Sequence, residues 1–216
     1  MCNKWLWLFY PLSFFLFTSA NAGSLQGGEL HLSVGGGQLQ QGTQQLIGIV
    51  NSLGNFYSVS DDKNRVFVGG LGFFLTPKTY KRTKLSLGTS LFYIGDGKTQ
   101  GVVHLERSFP NLSYQYKSKH IPLYATGRAV FDAIKAPFAI VADGGIGLNI
   151  LKTRAFQDRS IDNGITIGNA AFSGNTTVKF SAMAGIGILF DKVIKDHSVA
   201  VSYRYFYLNN WTLDKS

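Results

Sequence analysis

The sequence predicts an all-β protein, an antiparallel up-and-down transmembrane β-barrel, and three observations carry that prediction. The first is side-chain parity. In residues 178–207, Val178, Phe180, Ala182, Ala184, Ile186, Ile188 and Phe190 share one parity, and Lys179, Ser181, Met183, Gly185, Gly187 and Leu189 the other. After a charged turn at 191–196, Val199, Val201, Tyr203, Tyr205 and Tyr207 alternate with Ser198, Ala200, Ser202, Arg204 and Phe206. Successive strand side chains point to opposite faces, so each run has one apolar face and one small or polar face. The second observation is that connections alternate long and short, the asymmetry of outer-membrane barrels, with short periplasmic turns and longer extracellular loops. The third is a removable leader.

Residues 1–22 read as a secretory signal peptide: Lys4 supplies the positive n-region, 5–17 the apolar h-region, and Ala20-Asn21-Ala22 a small-residue cleavage site before Gly23. An uncleaved anchor is the competitor, but the h-region is shorter than the roughly 20 residues a spanning helix needs. The second domain is 23–216, the barrel. Cys2 is the only cysteine and precedes the h-region, so the exported chain is expected to hold without disulfides. With 25 Gly, 17 Phe, 10 Tyr and only 15% charged residues, the composition favours closely packed strands over helices. No later segment is a continuous apolar run of membrane-helix length, so insertion in lipid requires a closed sheet. The formal charge of +9 is scattered over turns and loops rather than gathered on one helix, which argues against nucleic acid as a partner.

Taken in order, Leu30, Leu32 and Val34 alternate with Glu29, His31 and Ser33 in a first strand, weakened by Gly35-Gly36-Gly37. Residues 39–64 form a long segment holding either a short helix or an extra hairpin. Phe67, Leu71, Phe73 and Leu75 oppose Gly70 and Gly72, and Leu85, Leu87, Leu91 and Tyr93 oppose Ser86, Gly88 and Ser90, a hairpin around the turn at Pro77. Residues 95–109 are a long connection. Leu112, Tyr114 and Tyr116 share the apolar parity before Pro122, and Leu123, Ala125, Ala129 and Phe131 after it, so a β-bulge is expected at the proline. Past a short turn at 132–137, Phe138, Ile140, Ala142, Ile146, Leu148 and Ile150 oppose Asp143, Gly145, Gly147 and Asn149. Residues 152–174 are the third long connection.

The runs GGLGFF at 69–74, FAIVADGGIGLN at 138–149, FSAMAGIGILF at 180–190 and VAVSYRYFY at 199–207, with the leader and the loop alternation, resemble the small eight-stranded outer-membrane β-barrels of Gram-negative bacteria. These include the opacity proteins and the OmpA transmembrane domain. The similarity covers about residues 28–208 and is specific for architecture, not for activity. It implies a last strand with a terminal aromatic residue, whereas this sequence ends Trp211-Thr-Leu-Asp-Lys-Ser216. Seven strands are readable where eight are expected. Three resolutions are open: a chain stopping before its eighth strand, which is preferred; a strand from 39–57; or direct closure of first strand on seventh.

Parity places Glu29, His31, Lys117, Arg128, Asp143, Lys179 and Arg204 on the inward face. An eight-stranded interior is just wide enough for side chains to fill it, so opposite charges there are expected to pair as a plug, with Asp143 the acidic partner of Arg128 or Arg204. A narrow conducting path is the alternative. His31 and Ser33 offer a base and a hydroxyl on one face, but no orienting carboxylate can be named, so a lipid hydrolase is only a remote alternative. His104, His120 and His197 lie singly, and neither metal nor cofactor is expected. Phe73, Phe74, Tyr80, Tyr93, Tyr114, Tyr116, Phe138, Phe190, Tyr203, Tyr205 and Tyr207 are expected in girdles at the membrane interfaces. The expected function is structural: a monomeric outer-membrane anchor, in contact with lipid, displaying loops for recognition or adhesion at a host or other surface. A small porin is the runner-up.

Overall fold

A computed structural model describes residues 16–25, 28–40, 45–48, 54–61, 63–75, 77–105, 109–132, 137–167, 174–194 and 197–209. Its strands are β1 (Leu16–Leu25), β2 (Gly28–Gln40), β3 (Gln45–Gly48), β4 (Gly54–Asp61), β5 (Lys63–Leu75), β6 (Lys78–Tyr80), β7 (Thr83–Leu105), β8 (Phe109–Asp132), β9 (Ala139–Ser160), β10 (Thr176–Ile194) and β11 (His197–Tyr207). All pairings are antiparallel. They run β7-β5-β2-β1-β11-β10-β9-β8, and β8 pairs back onto β7, so the ladder returns to its start through eight strands in up-and-down order. The all-β barrel architecture expected from parity is what the chain forms.

The ring closes neither through a strand from 39–57 nor by direct pairing of the first readable strand with the last. The gap between the first and last readable strands is filled by β1, which pairs with β2 (Thr18 opposite Val34, Ala20 opposite Leu32) and with β11 (Thr18 opposite Val201, Ala20 opposite Val199). This strand spans the expected cleavage position after Ala22. Residues of the 39–57 segment instead form the β3–β4 hairpin, which joins the outer half of β7 rather than closing the ring.

The exterior repeats one pattern. Leu32, Phe67, Leu71, Phe73, Leu87, Leu91, Leu123, Ile146, Leu148, Phe180, Ile186 and Val201 are exposed on outward parity, while the intervening Ser86, Ser90, Thr126, Asp143, Asn149, Ser181, Ser202 and Arg204 are buried. Burial is thus inverted relative to a water-soluble sheet. On β8 the band of outward apolar residues from Ile121 to Phe131 occupies about ten residues, the length a tilted strand needs to cross hydrocarbon.

Two of the expected long connections are substantially strand. β7 continues to Leu105 and β8 starts at Phe109, while β9 runs to Ser160, so 95–105 and 152–160 belong to a sheet that projects past the ring, with β3 and β4 at its edge. Periodicity missed this wing because apolar alternation fades where the outer face no longer carries Leu and Ile. The bulge expected at Pro122 is also absent: from Ser118 to Asp132, β8 keeps one register against β9. The shifts lie instead between Ile94 and Gly97 on β7 and around Ala155 on β9, whose φ is 53°. Tyr114 and Tyr116 therefore keep the inward parity of Tyr124, and what changes along β8 is the polarity of each face.

Candidate functional site

The interior is built in layers, and the first is ionic. Cross-strand register sets Arg128 opposite Asp143, and Gly185 opposite both Asp143 and Arg204, so three charged positions on β8, β9 and β11 meet at one level. The Asp143 carboxylate accepts from Arg128 Nε at 2.7 Å and Nη2 at 3.3 Å, and from Arg204 Nη2 at 3.0 Å and Nε at 3.3 Å. Arg128 Nη1 donates to His31 Nδ1 at 2.6 Å. With Nδ1 accepting, the ring's Nε2–H is left to donate to Glu29, 3.3 Å away. Arg204 Nη1 donates to Ser33 Oγ at 3.3 Å. Two carboxylates thus balance two guanidiniums through a bridging imidazole. The side chains of Asp143 and Arg204 are each only 3% exposed, and at that burial an unpaired charge would be strongly destabilising. Gly185 makes room for the arrangement, since a Cβ there would lie 2.7 Å from Arg204 Cγ.

Toward the long-connection end lies an aromatic layer. Phe92, Tyr124 and Phe206 have ring centroids 5.1–6.2 Å apart and pack with Val68, Ile94, Leu39 and Met183. The Tyr124 hydroxyl is 2.7 Å from Ser181 Oγ, which also donates to the Tyr207 carbonyl. Arg204 lies over the face of Phe92 at 5.5 Å, joining the two layers by a cation–π contact, and Arg128 lies over that of Phe74 at 4.5 Å, beside His31. Beside the ionic cluster only about 10 Å³ is open, room for about one water. On the short-turn side a vestibule of about 130 Å³, bordered by Glu29, Lys84, Arg128 and Asp191, ends against this cluster.

Of the charges assigned to the interior, Glu29, His31, Arg128, Asp143 and Arg204 come together in one cluster. Lys117 does not. It is exposed on the outward parity of Leu123, because the parity switch that placed it inside does not occur. Lys179 holds the inward parity but is exposed near the long-connection end, outside the Asp143 cluster. Phe74, Tyr114 and Tyr116 are buried inside rather than in a girdle. Phe73, Tyr80, Tyr93, Phe138, Phe190, Tyr205 and Tyr207 are exposed. His31 and Ser33 share a face but are held by different partners, the imidazole by Arg128 and Glu29 and the hydroxyl by Arg204. His120 is buried and bonded to Asn149 at 2.9 Å. Parity could have identified Phe92 and Phe206 as interior; their role in the plug was missed because aromatics were assigned outward.

In the wing the two faces exchange character. Its inner face carries Val103 and the stacked rings of Tyr114, Tyr116 and Phe156, with neighbouring centroids 6.2 Å apart and the Tyr114 hydroxyl donating to the Ser58 carbonyl at 3.1 Å. Its outer face carries a ladder in which Gln100 donates to Gln115 at 3.3 Å and Gln115 to Gln157 at 2.7 Å. Burial pushes the Tyr116 hydroxyl's pKa well above the usual tyrosine value. At the tip, Asp162 accepts from Ser160 Oγ at 2.6 Å, from the Thr166 amide at 3.0 Å and from the Thr166 hydroxyl, which hold its carboxyl down at about 2.

Fold and interior together define an antiparallel β-barrel closed by an ionic and aromatic plug. Comparisons with protein families, with curated proteins and with solved structures each return no match.

Proposed function

We propose that this chain is an integral outer-membrane β-barrel whose role is structural, a compact anchor that holds the wing and the tip at 161–167 on the outside for surface recognition or adhesion. The observation that carries the reading is the reversal of polarity along single strands. On β8 the outward set is Phe131, Ala129, Ala125, Leu123 and Ile121, then Lys119, Lys117, Gln115 and Ser113, while the inward set passes from Thr126 to Tyr116 and Tyr114. An apolar exterior is stable against hydrocarbon and a polar one against water, so one strand changing from the first to the second has crossed from lipid to solvent. Aromatic side chains stand at both ends of the apolar band, Phe73, Phe131, Phe138 and Phe190 near the short turns and Phe67, Tyr93, Phe180 and Tyr207 near the wing. Such belts suit membrane–water interfaces.

The plug favours the anchor over the porin, because ionic and aromatic layers fill the axis where a solute would pass. The test joins fractionation with conductance. The protein is expected to stay with outer membranes after a high-salt wash and to give no stable channels in planar bilayers. Recovery in the soluble periplasmic fraction would remove the reading, and reproducible channels would replace the anchor with the porin. Binding to a host or matrix surface is expected to be lost when the wing is trimmed and retained when the short turns are altered.

A further inference from the structure

We propose that the outward face of the wing, where it meets the apolar band, binds the phosphate of a lipid headgroup. The inference rests on the membrane reading and names what that surface would hold. Two adjacent rows of the sheet are involved. In one, Lys98 on β7 stands opposite Lys117 on β8, which stands opposite Arg154 on β9; in the other, Lys119 stands opposite Lys152. Residues 117 and 119, and 152 and 154, share a face by the two-residue period of a strand. Directly opposed side chains have Cβ atoms about 4.5–5.5 Å apart, and like charges there repel. Among the described residues of these two rows the acid is Asp96, paired with Arg154. Five cations against one carboxylate leave an excess that an anion would neutralise.

Position selects the anion. On one side of the rows lie the outward Tyr93, Ile121 and Ile150 of the apolar band, and Lys119 Nζ sits 4.5 Å over the Tyr93 ring. On the other side lies the uncharged Gln100–Gln115–Gln157 ladder. Beyond the ladder the outward face carries the exposed Arg159, opposite Ser113, so the charge is concentrated in about 7 Å of strand at the edge of the lipid-facing surface. That depth matches a plane of headgroup phosphates, whereas an extended polyanion would be met by a row of cations up the wing rather than by Arg159 alone. Juxtamembrane Lys and Arg are drawn to an anionic lipid surface, so several together favour a phosphomonoester headgroup by about tenfold or more.

Native mass spectrometry of the full chain refolded in detergent tests this with two probes of identical acyl chains, dioleoylphosphatidic acid and dioleoylphosphatidylcholine. The parent is expected to retain the phosphatidic acid about tenfold better, and K117Q/K119Q/K152Q to lose that preference. K78Q/K81Q, altered at the opposite end, is expected to keep it, and the single K152Q to fall between. A triple variant that folds and discriminates like the parent, or a parent that does not discriminate, overturns the proposal. Displacement of the lipid by millimolar inorganic phosphate would assign the surface to free phosphate and overturn the lipid assignment. A chain that folds in water without detergent removes the membrane reading itself, whereas one that folds only in detergent yet ignores the headgroup removes this inference alone.

Discussion

Asp143 is the residue on which the interior turns, since its two oxygens serve both buried guanidiniums. Asp143→Asn keeps the shape but removes the charge, leaving Arg128 and Arg204 facing each other across a site from which water is nearly excluded. The expected cost is about 3–5 kcal/mol, the range found when one partner of a buried pair is removed. Urea unfolding of detergent-refolded protein would show it, together with loss of the compact gel species at lower temperature; an unchanged midpoint contradicts the cluster. Tyr124→Phe removes only the bond to Ser181 and is expected to cost about 1 kcal/mol by the same measurement. At the tip the sign is set by a depressed pKa: Asp162 has its carboxyl near 2 instead of 3.8, so its bonds to Ser160 and Thr166 support the turn above about pH 3.8 and are lost as pH falls toward 2. An NMR titration should place the midpoint near 2 and Thr166→Ala should raise it; a midpoint near 4 contradicts the arrangement. The Arg128–Asp143–Arg204 cluster was legible because three charges interrupting apolar alternation all fell on one parity. Lys117 falls on the wrong face in the sequence reading because Tyr114 and Tyr116 are expected outward before Pro122, and amphipathic rings serve an interior equally well.

At the scale of elements, β1 is where sequence and fold part most sharply. Its residues carry a leader's composition, yet their backbone fills the slot between β2 and β11. The two roles exclude each other, because cleavage after Ala22 leaves only Gly23–Leu25 of that strand on the barrel. Leu32 and Val199 both face Ala20 across β1, so with the strand in place their Cα atoms lie about 9–10 Å apart, two strand spacings. That exceeds the reach of a disulfide. In a Cys2→Ser background, Leu32→Cys with Val199→Cys is therefore expected to stay reduced in the full chain under mild oxidation. A disulfide forming there would show that β2 and β11 close directly and β1 is displaced. The wing was the other element that parity could not show. Residues 95–105 carry Gly, Asp, Lys, Thr and Gln where the barrel carries Leu and Phe, so the period survives in burial (Thr99 and Val103 inside, Lys98 and Gln100 outside) but not in hydropathy.

For the molecule as a whole, the fold class was legible because one rule, apolar out and polar in, repeats from strand to strand, and a repeated rule survives local exceptions. The plug was legible only in its charges; parity also turns Phe92, Tyr124 and Phe206 inward, but an aromatic ring suits an interface belt as well as an interior, so parity alone does not assign them to the plug. Gly185→Ala is expected to perturb both layers together, since the added methyl displaces Arg204 from Asp143 and from the ring of Phe92. The central claim, that single strands leave hydrocarbon for water at the level of Lys117 and Lys119, is tested most directly by spin labels placed one at a time along outward positions of β8. Labels at 123, 125 and 129 are predicted to be relaxed by oxygen and shielded from a water-soluble nickel chelate, and labels at 113, 115 and 117 to show the reverse. Equal access of the nickel reagent to all six would contradict the account and make the chain a barrel in water.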